Sequence, residues 1–334
     1  MTNELKRYLK NKKNLEDAFL YNPGHEHDSC GVGFVASTDG KQRREVVQGG
    51  IDALKAVWHR GAVDADGKTG DGAGILTQIP YNFFDDEIAK TGHEKRDETL
   101  GIGMMFLPRN DYAALEKCRT IIESELLDHG YYIYGWRQVP INNSVIGEKA
   151  NSTRPEIEQV MFVNNIERDK DFDFAKELYL VRRRLEKRIA KQQINGFYVC
   201  SLSFESIIYK GLFLAEQLSI FYPDLANEEF ISSFAVFHQR YSTNTFPSWG
   251  LAQPFRLLAH NGEINTISGN TNWMRNHQTR ITTEIFGDDS EQVKPIIEKN
   301  VSDSSALDAA FELYVRAGRS VPLVKTLLIP EARP

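Results

Sequence analysis

Between Glu45 and Trp58 the apolar residues Val47, Ile51, Leu54 and Trp58 return at helical spacing, which predicts an amphipathic helix. Just before it, GVGFVAS (31–37) reads as a strand closed by the turn signal Asp39-Gly40. After it comes a glycine-rich loop, HRGAVDADGKTGDGAG (59–74), which runs into the strand-like ILTQI. β-branched and aromatic residues predict further strands at 100–107, 131–139, 158–164, 196–203, 230–238 and 255–260. Helical patterns fill 111–128, 172–192, 263–276 and 304–317. In the second of these, Phe174, Leu178, Val181 and Leu185 form the apolar face, and the RRR and KR charges read as a solvated face. Strands come in clusters separated by helices, without regular strand–helix alternation. That favours antiparallel sheets covered by helices, an α+β organisation, over a doubly wound parallel sheet. The reading is one large α+β domain behind a leader, with no internal repeat.

Composition narrows the function classes. The chain has 334 residues, 41% hydrophobic and 26% charged, which is ordinary for a globular protein with a sizeable core. No apolar run approaches the roughly 18 residues that suggest a membrane span. A net charge of −6 argues against a nucleic-acid binder, because no broad basic stripe is available to neutralise phosphates. Cys30, Cys118 and Cys200 are too few and scattered for a disulfide framework, and no C-x-x-C pair suggests a zinc ribbon or an iron–sulfur cluster. A reducing, cytosolic-type compartment is expected. In the leader, Glu16 and Asp17 interrupt the apolar positions that follow Lys6, Arg7, Lys10, Lys12 and Lys13, so it lacks the continuous core of a secretory signal.

Three motifs fail on context. Gly31-x-Gly33-x-x-Ala36 opens a strand, whereas a dinucleotide fingerprint must follow a strand and open a helix. Gly67-Lys68-Thr69 resembles the end of a phosphate-binding loop, but Ala62 stands where the first glycine belongs, and a tight turn explains the glycines better. His25-Glu26-His27-Asp28 has no partner cluster and reads as solvated rather than metal-binding.

Cys30 reads differently. A lone cysteine in a strand or helix is ordinarily a small buried hydrophobe, which suits Cys118 and Cys200. Cys30 follows a polar run, and Gly31 and Gly33 leave space beside its thiol for a substrate. AVFHQRYSTNTFPSWG (235–250) runs from a strand into a loop and places Arg240 near the strand's end. FRLLAHNGEINT (255–266) likewise places Asn261-Gly262 between a strand and the next helix. There an asparagine amide and a glycine backbone N–H could form an oxyanion hole. By itself, HNGE also reads as a turn with a helix start.

The runs CGVGF, HRGAVDADGKTGDGAG, FHQRYSTNTFPSW, AHNGEINT, GNTNWM and SDSSALD together resemble the amidotransferase domain of glutamate synthase, from Cys30 to about Glu331. That family is part of the class II, N-terminal-nucleophile glutamine amidotransferases. CG-x-GF and HNGE suit several class II members, whereas DGKTGDG and RYSTNTFPSW point to glutamate synthase. The resemblance implies a four-layer αββα sandwich with mainly antiparallel sheets. It implies that residues 1–29 are a propeptide cut autocatalytically at Ser29–Cys30, and that 30–334 form the amidotransferase domain.

The freed α-amine of Cys30 is then the base for its own thiol, and L-glutamine is hydrolysed through a γ-glutamyl thioester. Asn261 and Gly262 are expected to hold the oxyanion, Arg240 the substrate α-carboxylate with help from Thr243, and Asp303 the α-ammonium. Asp303 also reads as a helix N-cap beside Ser302. Arg60 is expected to support the loop around the nucleophile. No metal or cofactor is expected in this chain. FMN and an iron–sulfur cluster belong to the synthase domain or subunit that takes the ammonia and aminates 2-oxoglutarate.

The chain ends at LLIPEARP, where the full enzyme would continue, and the tail after Glu331 departs from the family's pattern. It reads as a fragment or as a stand-alone glutaminase subunit, in the cytoplasm or, in a photosynthetic eukaryote, the plastid stroma. Two rival readings are a non-catalytic glutamine-binding regulatory module and a Cys/His hydrolase. Retention of Cys30, Arg240, Asn261 and Asp303 together speaks against the first. The second would tolerate an intact leader and depend on one histidine.

Overall fold

The computed structural model describes residues 3–18, 31–239, 246–262, 264–280, 283–299 and 301–329. The chain divides into two units, Met1–Cys30 and Gly31–Pro334. In the first, α1 (Asn3–Asp17) is built from Lys, Leu, Glu and Asn, and no pattern-based expectation had placed a helix there. Its leucines, lysines and glutamate lose little rotamer freedom in a helix, so propensity sustains what periodicity does not announce.

The second unit contains the strands β1 (Val32–Ala36), β2 (Ala73–Gln78), β3 (Leu100–Leu107), β4 (Tyr131–Gln138), β5 (Glu156–Asn164), β6 (Tyr198–Ser203), β7 (Ser206–Gly211) and β8 (Phe234–Gln239). Between them run the helices α2 (Arg44–Ala56), α3 (Tyr81–Lys90), α4 (Tyr112–Asp128), α5 (Glu148–Ser152), α6 (Phe174–Lys191) and α7 (Leu218–Phe221). After β8 come α8 (Ile267–Gln278), α9 (Thr283–Phe286), α10 (Asp303–Arg316) and α11 (Val321–Leu328). The strands form two four-stranded antiparallel sheets, ordered β1-β8-β2-β7 and β4-β5-β3-β6.

Alternation along β3 shows how the layers are made. Ile102, Met104 and Phe106 join the core shared with the first sheet, while Met105 and Leu107 pack with Leu115, Cys118 and Ile122 of α4 and Leu178, Val181 and Leu185 of α6. On the first sheet, α2 buries Val47, Ile51 and Leu54. Gly50 permits that seat, because a Cβ there would lie 2.7 Å from the Ala235 Cβ. The fold is therefore α+β, with helix, sheet, sheet and helix as the layers of an αββα sandwich. The second sheet and its helices follow the chain order β-α-β-β-α-β.

Two expectations are corrected. Residues 255–260 are not a strand, because their backbone groups are claimed elsewhere. Phe255 N–H donates to Leu258 O at 2.8 Å, and Leu257 and Leu258 N–H both donate to Asp308 Oδ1, at 3.0 and 3.1 Å. The charges on α6 are also not a solvated face. Arg182 and Arg183 are only 3% and 7% exposed. Arg182 binds Glu186 at 2.8 Å and Glu312 of α10 at 2.7 Å, and Arg183 binds Glu186 at 2.8 Å and Pro295 O at 2.6 Å. Carboxylates and a carbonyl replace the water that the pattern implied.

The glycine-rich loop is a turn, as its composition suggested. Gly67 has φ +68° and Gly72 φ +144°. Asp66 Oδ1 accepts the Lys68 and Thr69 N–H groups at 2.9 and 2.7 Å, and Thr69 Oγ1 donates to Oδ2 at 2.6 Å. Those N–H groups are thus used within the loop. The run His25–Asp28 lies outside the described residues.

Lys210 on β7 is buried under the Tyr198 and Phe255 rings and donates to Gly250 O at 2.8 Å. Burial pushes its amine down to about 8. An unfolded lysine keeps its proton to about pH 10.4. Between those values the unfolded state binds more protons, so stability rises with pH in that window. Relative to Lys210→Met, the wild-type urea midpoint is expected to climb from pH 8 to pH 10; parallel midpoints would refute the lowering of the amine's pKa by burial.

Candidate active site

Cys30, Arg240 and Thr243 lie outside the described residues, as does Ser29. Their sequence neighbours are described, and they meet. Gly31 O accepts the Gln239 N–H at 2.6 Å, so the residue after Cys30 and the residue before Arg240 are hydrogen-bonded to each other. A Cβ on Gly31 would sit 2.1 Å from Gln239 O and 3.5 Å from Arg60 Cβ. Only glycine fits that crossing, and Arg60 stands against it. The Gln239 side-chain amide is fully buried, and among the described residues neither its nitrogen nor its oxygen has a hydrogen-bond partner.

Asn261 and Gly262 sit in a segment fastened on both sides. Upstream, Asp308 holds Leu257 and Leu258 as described above. His260 N–H donates to Gln253 Oε1 at 2.8 Å, and His260 O accepts from Gln253 Nε2 and His238 Nε2, each at 2.9 Å. A carbonyl acceptor fixes the His238 tautomer with its proton on Nε2. Downstream, Ile264 N–H donates to Asp303 Oδ2 at 3.1 Å. Gly262 has φ +151°, a conformation that a residue with a side chain rarely adopts. The positions predicted to hold an oxyanion therefore flank the aspartate predicted to hold an ammonium.

Asp303 is the first residue of α10, not its cap. The cap is Ser302, whose side chain accepts the Ser305 N–H at 3.1 Å. Asp303 is 2% exposed, and its Oδ1 accepts the Ser304 N–H at 2.7 Å. A carboxylate in a first turn also faces the positive end of the helix dipole. The neighbouring Ser304 Oγ pairs with His260 Nδ1 at 2.8 Å, which ties the helix start to the Asn261 segment.

Deeper along α10 lies a buried charge network that the sequence reading missed. Arg256 Nε bonds Glu312 at 3.2 Å and its Nη2 lies 3.6 Å from Asp308 Oδ2, while Arg182 reaches Glu312 from α6. Burial pushes the Asp308 carboxyl up, with Glu312 adding to the shift. Burial also opposes ionisation of Glu312, but Arg182, Arg256 and Arg316 outweigh it and hold that carboxyl below its ordinary value. The visible signal was the second aspartate of SDSSALD, placed one helical turn and a half beyond the first.

The described cysteines are not nucleophiles. Burial pushes the Cys118 thiol up to about 11 and the Cys200 thiol to about 12, so neither forms thiolate at neutral pH. Among the described residues no group of three or more His, Cys, Asp or Glu side chains could hold a metal, and no helix is long and apolar enough to cross a membrane.

The chain is similar to known proteins over nearly its whole length. The family described as glutamine amidotransferases, class II, matches residues 30–333. The glutamate synthase [NADPH] large chain of Azospirillum brasilense is 60% identical over 318 residues, covering 95% of this chain and 21% of that protein. The chloroplastic ferredoxin-dependent glutamate synthase of Spinacia oleracea is 41% identical, covering 96% of this chain and 19% of that protein. The glutamate synthase [NADPH] large chain of Bacillus subtilis is also 41% identical, covering 93% and 20%. The chain thus spans about a fifth of the length of these relatives.

Proposed function

The chain belongs to the class II glutamine amidotransferases, and from that premise we propose that it hydrolyses L-glutamine through a thioester on Cys30 and supplies ammonia to a synthase region. Residues 1–29 act as a propeptide, and the start of the family match at residue 30 supports that division. An amide nitrogen is not a base, whereas a free α-amine has a pKa of about 7.7–8.0 and a useful neutral fraction at pH 7. Once Ser29–Cys30 is cut, that amine takes the thiol proton, directly or through water. The thiolate attacks the δ-carbonyl of glutamine, and the tetrahedral oxyanion is met by the Asn261 amide and the Gly262 N–H. Collapse expels ammonia, protonated on departure by the same amine. Water then hydrolyses the thioester to glutamate.

The zwitterionic end of glutamine selects the substrate. Arg240 offers a planar fork of donors to the α-carboxylate, with Thr243 adding one hydrogen bond. Asp303 takes the α-ammonium. Its Oδ2 accepts the Ile264 N–H and its Oδ1 the Ser304 N–H, which fix the plane of the carboxylate beside the Asn261-Gly262 segment. Glutamate lacks the leaving group, and asparagine is one methylene short of the thiol.

Ammonia is then used in a synthase domain or subunit that carries FMN and an iron–sulfur cluster and aminates 2-oxoglutarate. The names of the similar proteins support that partner. The compartment follows the host: cytoplasm, or plastid stroma in a photosynthetic eukaryote.

The observation that carries this reading is the Ile264–Asp303 bond, which brackets Asn261-Gly262 against a buried carboxylate. Removing one oxyanion donor typically costs about 10²–10³ in kcat. Asn261→Ala is therefore expected to lower kcat for glutamine by that factor while Cys30 remains alkylatable. An unchanged kcat would remove Asn261 from the mechanism.

A further inference from the structure

Oxyanion donors stabilise a transition state only if they are already in place when charge develops, so whatever holds their backbone matters as much as their identity. Among the described residues the segment that carries Asn261-Gly262 has no strand partner, and one side chain supplies what a neighbouring strand would. Gln253 is 3% exposed and lies edge-on to His260, accepting its N–H at 2.8 Å and donating to its C=O at 2.9 Å. At neutral pH a primary amide offers an acceptor and a donor on one uncharged planar fork, which is what a peptide unit demands. The second donor to the same carbonyl, His238 Nε2 at 2.9 Å, comes from β8. With both lone pairs of His260 O occupied, the peptide plane that ends at the Asn261 nitrogen cannot turn freely.

We infer that Gln253 is a positioning residue for glutamine hydrolysis: its side-chain amide locks the His260–Asn261 peptide plane and thereby aims the Asn261 and Gly262 donors. The inference rests on the thioester mechanism proposed above and adds to it a residue that does not touch substrate. It follows that the Asn261-Gly262 donors are held from three directions: Gln253 within the segment, β8 through His238, and α10 through Ser304, Asp303 and Asp308. Among the described residues, the first is the only one that pairs with both the N–H and the C=O of a single residue beside the donors.

Two substitutions at Gln253 separate aiming from mere packing. Gln253→Met keeps volume and removes both hydrogen bonds. A misplacement of about 1 Å can cost on the order of 10² in rate, so kcat is expected to fall between about tenfold and a hundredfold, with KM changing less than about threefold. Gln253→Glu keeps the acceptor for His260 N–H but sets a carboxylate oxygen against His260 O. When protonated, that side chain again offers one acceptor and one donor, as the amide does. The titratable side chains around it are His238 from β8, His260 from its own segment, Lys210 from β7, and Asp303 behind Ser304; comparing variant with wild type at each pH cancels their own titration. The ratio of kcat for Gln253→Glu to wild type is expected to rise at least about fivefold between pH 8 and pH 5.5, because burial raises a carboxyl pKa from about 4.3.

The measurement uses the full chain after removal of residues 1–29, with L-glutamine as substrate and thermal midpoints recorded alongside. Wild-type hydrolysis with unaltered kcat in both variants would overturn the positioning role alone. So would a flat pH ratio, or losses in kcat matched by KM and by a collapsed midpoint. Absence of hydrolysis by the trimmed wild type would overturn the proposed function, and this role with it.

Discussion

Cys30→Ala is expected to retain all of residues 1–29 and to release no ammonia from glutamine. In the proposed mechanism the thiol is used twice: first on the Ser29 carbonyl, to cut the chain, and then on the substrate amide. Neither step has a substitute nucleophile among the described residues, because burial raises Cys118 to about 11 and Cys200 to about 12. Intact mass reads the first effect and an ammonia assay the second. Supplying the cut artificially, by expressing the chain from position 30, distinguishes the two uses. The wild-type sequence begun at Cys30 should be active, and the Cys30→Ala version begun there should stay inactive. Cleavage of Cys30→Ala at the natural position would show that another protease makes the cut.

Arg182→Ala is expected to cost about 3–5 kcal/mol of stability, the usual penalty for removing one partner of a buried ion pair. Arg182 bonds Glu186 on its own helix and Glu312 on α10, and its loss would leave the buried Glu312 with Arg256 and the half-buried Glu186 with Arg183. Burial opposes charge on Glu186, yet Arg182 and Arg183 hold its carboxyl down to about 2. A carboxyl depressed in the fold stabilises it above its unfolded pKa, and that contribution fades as pH falls toward the folded value. The penalty of Arg182→Ala should therefore be largest near neutrality and shrink as the pH falls through the unfolded carboxyl range. Urea unfolding at pH 7 and pH 4 measures both. A penalty under about 1 kcal/mol would place the pair with surface bridges, whose usual worth that is.

Much of this fold is legible in the chain, for identifiable reasons. β3, β4, β5, β6 and β8, and helices α2, α4, α6 and α10, overlap the segments that β-branched and aromatic content or helical spacing marked out, because each turns apolar or aromatic side chains to the core. The misses share a cause: a side chain did work that the pattern assigns to solvent or to a strand. FRLLAH looks like a strand, but Asp308 and Gln253 intercept its backbone donors. The RRR of α6 looks solvated, but Glu312 and Pro295 O replace water. β7 escaped notice because Lys210, an ostensibly exposed residue, is buried inside it. The site was legible differently. CGVGF, AHNGEINT and SDSSALD pointed to Cys30, Asn261, Gly262 and Asp303 through resemblance, and in the structure Asp303 holds Ile264, two residues past Gly262. Gln253 and His238 could not be singled out, since nothing in AQPF or FHQ shows which carbonyl their side chains will reach.

The most direct test compares initial rates of ammonia release from the uncut chain and from the chain that begins at Cys30, with intact mass fixing how much of each is present. General-base catalysis is worth about 10²–10⁴ in rate, so the uncut form should work at or below about 1% of the trimmed one. Equal rates would mean that the α-nitrogen of Cys30 takes no part in breaking the amide.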